Sequence, residues 1–152
     1  MDEKVLREAV LSGFEYSYLH DEWVTSLEEA LGGITAVQAL HRPSEGAKGI
    51  WDIVLHLAVW HEDIVVRVMT GELSRPAEGA WPSPPQVADE DAWNSAKKQL
   101  WSSLEAEREM IRTVPWQKID KSPYGLADLI CRFTHNGYHI GQIVKMRELS
   151  GF

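Results

Sequence analysis

Ile50-Trp51-Asp52-Ile53-Val54-Leu55-His56-Leu57-Ala58-Val59-Trp60, continuing through Ile64 to Val68, sets the character of the chain. Ile53, Leu57, Trp60, Ile64 and Val68 recur at intervals of three and four, which lays one apolar stripe along a 3.6-residue helix. Gly49 as N-cap and Gly71 as terminator bound about twenty residues, about 30 Å of helix. Asp52, His56, His61, Glu62, Asp63 and Arg67 interrupt the apolar run, so it does not read as a membrane span.

Working outward, the same period recurs in three further segments. From about Glu3 to Leu31, Leu19, Trp23, Leu27, Ala30 and Leu31 predict a long first helix ending at Gly32-Gly33. A short turn follows, with Thr35 and Gln38 at capping-box spacing, and His41 to Gly46 reads as loop. Glu72 to Ala88 carries Pro76, Pro82, Pro84 and Pro85 and holds no regular helix or central strand. A third helix from about Glu90 to Val114 bears Trp93, Leu100, Trp101, Leu104 and Ile111, with Asp89 as N-cap and Pro115 as stop. The fourth begins near Gly125 and runs through Leu126, Leu129, Ile130, Phe133, Ile140, Ile143 and Met146 to Gly151. No period-2 segment competes, so the expected fold is all-α, a four-helix bundle. The long Pro-rich connection can run the length of a helix, making a crossover that leaves helices two and three parallel.

The chain has 152 residues with 44% hydrophobic content, enough for one compact domain, residues 1–152, burying roughly two-thirds of its unfolded surface. Fifteen basic against 23 acidic side chains give a formal charge of -8, which argues against nucleic acid as a partner. A single cysteine, Cys131, excludes an internal disulfide framework and any CxxC site. With an acidic N-terminus, Met1-Asp2-Glu3-Lys4, and no signal-type apolar region, a cytoplasmic setting and no membrane association are expected. Seven tryptophans favour a wide helical core or a ligand cleft.

The histidines carry the chemistry. His135 and His139, at i and i+4, project about 40° apart on one helix face and can aim at a common ion. His56 faces the bundle interior at the flank of its stripe. A neutral imidazole buried there needs a partner for each ring nitrogen, which a shared metal and an outer acceptor supply. Asp52, one turn earlier, is the candidate acceptor. His61, rotated about 140° from His56, cannot join the same ion from a regular helix and reads as an outer residue. His20 and His41 have no partner at ligand spacing. Cys131 shares the face of His135, where burial as a small apolar group competes with roles as a fourth ligand or redox-sensitive thiol. Gln142 lies on that face too, placed to orient a ligand or substrate or to bond across the bundle. HExxH, GxSxG, Gly-rich phosphate loops and the Glu-x-x-His pairs of di-iron bundles are all absent.

Ile50-Trp51-Asp52-Ile53-Val54-Leu55-His56-Leu57-Ala58-Val59-Trp60 resembles the second-helix signature of the DinB-like superfamily, a Trp, a His-Leu pair and a following Trp. His135-Asn136-Gly137-Tyr138-His139-Ile140-Gly141-Gln142 resembles its fourth-helix signature, HxxxHxGQ. The resemblance covers nearly the whole chain in element order and length. It implies a bundle with a crossover between helices two and three, and a three-His site for zinc, nickel or a similar divalent ion on His56, His135 and His139. It further implies a homodimer and a thiol-dependent S-transferase or isomerase using bacillithiol, mycothiol or glutathione, although many relatives have no assigned reaction. Gly49 stands where relatives often have a capping Ser. The expected function is a metal-dependent thiol S-transferase acting on a small electrophile at a mouth lined by Trp60. A hydrolase and a non-catalytic metal-binding stress-response bundle are the alternatives.

Overall fold

The computed structural model describes residues 2–21 and 23–152, and within them the chain is all-helical with no strand. The helices are α1 (Glu3–Tyr16), α2 (Leu27–Leu31), α3 (Ala36–Leu40), α4 (Ile50–Thr70), α5 (Glu90–Thr113), α6 (Trp116–Lys121) and α7 (Gly125–Ser150). No helix among the described residues is long and apolar enough to cross a membrane.

The expected first helix is two helices. α1 stops at Tyr16, where Ser17 turns its hydroxyl back on the Phe14 carbonyl at 2.7 Å. α2 restarts at Ser26, whose hydroxyl accepts from the Glu29 amide at 3.1 Å. The Leu27 amide bonds the Tyr18 carbonyl at 3.0 Å and closes the intervening loop. Trp23 is 89% exposed and Leu19 lies outward as well, so of the period read through 19–27 only Leu27 faces the core. Glu22, within that span, and Met1 lie outside the described residues. The remaining long helices fall where the stripes place them. α6 went unread because six residues carry too little periodicity to register.

Side-chain pairs fix the helix directions. Trp51 packs on Trp93 with ring centroids 5.2 Å apart, and His61 meets Glu107 farther along both α4 and α5, so these two helices advance in the same direction. Residues 71–89 carry the chain back between them. α7 runs opposite to α4, since Arg67 pairs with Asp128 while His56 meets His135 and lies 4.8 Å, centroid to centroid, from His139. α1 runs opposite to α5: Arg7 donates to the Ile111 and Val114 carbonyls, and Glu15 pairs with Arg108.

Phe14, Trp51, Leu57, Ile64, Trp93, Leu100, Leu104 and Ile143 are all buried to within 1% of their surface. Each contributes on the order of 1.5–3 kcal/mol of apolar burial. The Trp93 indole N–H is satisfied by the Ile34 carbonyl at 2.8 Å, which lets so large a side chain sit wholly inside.

Gly49 is the α4 N-cap, and it is Gly for a steric reason. A β-carbon there would lie 2.6 Å from the His41 carbonyl oxygen and 3.1 Å from that of Ala39. A capping Ser is therefore excluded, and only the reciprocal half of a capping box is present, in which Asp52 accepts from the Gly49 amide at 3.0 Å.

Candidate metal centre and adjoining cleft

α4 carries His56 inward and α7 carries His135 and His139 toward it. Their Nε2 atoms converge: His56 to His135 is 3.0 Å and His139 to His135 is 3.1 Å. The three potential ligand atoms all lie within 4.8 Å of one another, with His56 and His139 buried and His135 partly so. This group can hold a metal ion.

The other ring nitrogens set the tautomers. His56 Nδ1 lies 2.5 Å from the Ala80 carbonyl oxygen, which can only accept, so Nδ1 carries the proton and Nε2 presents a lone pair. His139 Nδ1 lies 2.7 Å from Gln142 Oε1 and is fixed in the same way, while Gln142 Nε2 donates to the Tyr138 hydroxyl at 3.0 Å. Burial favours the neutral imidazoles, lowering His56 to about 4 and His135 to about 3, and it lowers His139 as well.

His135 Nε2 thus sits between two lone pairs. As an N–H it could serve only one of them well, whereas a divalent cation satisfies all three nitrogens at once. Tetrahedral bonds of about 2.0–2.1 Å place ligand nitrogens roughly 3.3 Å apart, close to the spacing of the His56–His135 and His135–His139 pairs. Neutral imidazoles suit Zn, Ni, Cu and Fe alike.

The Pro-rich crossover builds part of this centre. Beyond the Ala80 carbonyl, the Trp81 ring stacks on His56 with centroids 3.8 Å apart and planes 15° from parallel. Neither residue was singled out from sequence. A backbone carbonyl has no residue signature, although Trp81 before Pro82, a pairing biased to extended backbone, was a legible hint.

Asp52 is not the acceptor for His56. Its carboxylate is spent on the Gly49 amide, on Arg42 at 3.0 Å and on Lys48 at 3.5 Å, so it anchors the start of α4 instead. His61 is turned away from the triad, into a buried chain of hydrogen bonds that joins α4, α5, α7 and the C-cap of α1. Its Nδ1 meets Glu107 at 2.5 Å and its Nε2 meets Asn136 Oδ1 at 3.0 Å, and Asn136 Nδ2 donates to Ser17 at 3.0 Å. Sequence reasoning missed Glu107, one carboxylate among many on α5, yet it is 0% exposed. His20 and His41 are exposed, against Tyr16 and Phe152.

Cys131 is exposed, not the buried apolar group that was one expectation, and it does not join the ligand cluster. It lines a cleft of about 600 Å³ with His135, Trp60, Leu73 and Tyr124, among arginines. Trp60 is packed by the Arg67 and Arg132 guanidiniums, 5.6 and 5.4 Å from its ring centre. Tyr124 takes a left-handed backbone, φ 66°, to start α7. Gly125 follows at φ 51° where a β-carbon would meet the Asp120 carbonyl oxygen at 2.9 Å.

In comparisons with known proteins, no family model, no curated protein and no solved structure matches the chain.

Proposed function

We propose that His56, His135 and His139 hold one divalent ion, zinc or nickel, in a four-helix bundle of the DinB-like kind, and that the protein is a metal-dependent thiol S-transferase. The observation carrying this reading is the convergence of three Nε2 atoms, two of which are fixed as lone pairs by the Ala80 carbonyl and Gln142. The bundle reading is supported by α1, α4, α5 and α7 packed together, with a long connection between the co-directional α4 and α5.

When bound, the ion supplies Lewis acidity, lowering the pKa of a thiol or water that reaches it. Three neutral imidazoles leave its double charge undiminished. The chain's own residues do the rest. Trp81 and Ala80 hold the His56 ring, and Gln142 holds that of His139. Trp60, Leu73 and Tyr124 wall the cleft that would receive the electrophile beside His135. Cys131 lines the cleft but does not join the ligand cluster, so the nucleophile that the ion would activate is assigned to a low-molecular-weight thiol.

Elemental analysis of untagged wild type, His139→Ala and His61→Ala tests the site first. One ion per chain is expected in wild type and His61→Ala, with a large loss in His139→Ala. Metal-loaded protein is then incubated with bacillithiol, mycothiol or glutathione and a panel of electrophiles. Metal- and thiol-dependent turnover is expected; turnover without thiol would reassign the chemistry to hydrolysis.

A non-catalytic reading has its own support, because the triad ties α4 to α7 and, through Ala80, to the crossover. It is favoured if chelation lowers the melting temperature steeply and no electrophile turns over.

A further inference from the structure

We infer that the cleft beside His135 recognises the acidic group of a small organic anion, a carboxylate or a phosphate, and that Arg75 is the residue that clamps it. The inference deepens the proposed function by naming a substrate class, and it rests on that reading only for the role of the neighbouring His135.

Charge is the first observation. On a chain of formal charge -8, the cleft is lined by Arg67, Arg75 and Arg132 against one carboxylate, Asp128. Two of these arginines are already committed. Arg67 is 5% exposed and pairs with Asp63 at 2.6 Å and Asp128 at 3.1 Å. Arg132, also 5% exposed, donates to the Trp60 carbonyl at 2.8 Å and faces Asp128 at 3.6 Å. Buried Asp63 and partly buried Asp128 therefore balance two buried guanidiniums. The charge of Arg75 is left over.

Arg75 makes no hydrogen bond or ion pair among the described residues, and its side chain is exposed. Glu62 and Glu78 border the groove on its other side without pairing with it. Its backbone, in contrast, is held in place. The carbonyl of Ser74 accepts from Arg67 at 3.1 Å, and the Ser74 hydroxyl donates to Asp63 at 2.7 Å. Pro76 follows and restricts Arg75 to extended conformations. A fixed backbone thus presents a free guanidinium, whose planar fork suits bidentate carboxylate or phosphate binding.

The rest of the cleft defines the remainder of the ligand. Trp60, Leu73 and Tyr124 offer apolar and aromatic wall, and a volume of about 600 Å³ falls in the range of small-molecule sites. A compact anion with an apolar body would place its acidic end at Arg75 and its other end toward His135.

Cys131, the chain's one thiol, lines the same cleft and reports on it. Chelator-treated protein is alkylated with iodoacetate and with neutral iodoacetamide, in wild type and Arg75→Gln, with the exposed Arg112→Gln as a control. The iodoacetate-to-iodoacetamide rate ratio is expected to be several-fold higher in wild type and Arg112→Gln than in Arg75→Gln. Succinate or inorganic phosphate, but not succinamide, is expected to slow iodoacetamide labelling of wild type, and the more effective one identifies the acidic group. Equal ratios in wild type and Arg75→Gln, or no protection by either anion, overturns the inference. A ratio that rises only when metal is added also overturns it, by assigning the attraction to the ion while the metal reading stands. A metal-binding failure with the ratio intact leaves this inference in place and removes only the proposed reaction.

Discussion

His56 donates its Nδ1–H to the carbonyl of Ala80, a residue of the crossover segment and no part of either helix that carries the triad. The crossover therefore selects the His56 tautomer, and Trp81 next to it fixes the ring plane by stacking. Outer contacts of this kind typically carry 10- to 100-fold in metal affinity. Trp81→Ala is expected to weaken zinc binding by about 10-fold, while the melting temperature in chelator changes little because Trp81 is 37% exposed. Titration against a chromophoric chelator measures the first quantity; unchanged affinity would show that the stack is incidental.

Gln142 does the same work for His139, through a 2.7 Å bond to Nδ1. Gln142→Leu removes the acceptor, and zinc affinity is expected to fall by about 10- to 100-fold. Gln142→Glu keeps an acceptor and adds charge, so its affinity should equal or exceed that of wild type. If Leu and Glu behave alike, Gln142 does not act through His139.

Asp52 gives the opposite split. It caps α4 and faces Arg42 and Lys48, with no hydrogen bond to His56 among the described residues. Asp52→Ala is expected to cost on the order of 1–2 kcal/mol of stability in urea unfolding and to leave metal affinity intact. A loss of metal without a loss of stability would return Asp52 to the role the sequence first suggested.

That reversal shows what was legible. One turn of helix put Asp52 within reach of His56, but the same carboxylate sits three residues after Gly49, and the capping need, made acute by the His41 carbonyl against Gly49, claimed it. The triad itself was readable because helical spacing alone brings His135 beside His139 and aims His56 inward. α4, α5 and α7 were readable from their stripes and terminal Gly or Pro. The split between α1 and α2 was signalled only by Ser26 and Glu29, a cap-like pair overridden in reading by the apolar period of Leu19, Trp23 and Leu27. Contacts made by backbone atoms or by long-range pairs, Ala80 with His56 and Glu107 with His61, leave no mark at fixed spacing.

The His61–Glu107 pair is almost wholly out of water, and the Glu107 Oε1 has no hydrogen-bond partner among the described residues. Removing one partner strands the other, so His61→Ala is expected to cost about 3–5 kcal/mol in urea unfolding. The double change His61→Leu with Glu107→Leu leaves no stranded group and is expected to cost less than His61→Ala alone. A double variant less stable than the single one would show that the pair stabilises by more than it costs to bury.

Acid should weaken the metal-free protein through the triad. Burial first, and the neighbouring histidines and Arg132 after it, lower His56 to about 4 and His135 to about 3 in the folded chain. In the unfolded chain an imidazole titrates near about 6.5. Above that value both states are neutral at these positions and the contribution is flat. As pH falls from about 6.5 toward 4, the unfolded chain takes up protons that the folded chain refuses, so stability is lost across that window and levels off once the folded site itself protonates. Carboxylates titrate at the lower end too, so the decisive comparison is with His135→Gln, which deletes one of the groups. Urea unfolding in chelator at several values between pH 7.5 and about 4.5 should show a shallower decline for His135→Gln than for wild type. Equal slopes would mean that His135 is protonated in the folded chain as readily as in the unfolded one, and its Nε2 would then not be the free lone pair that a metal needs.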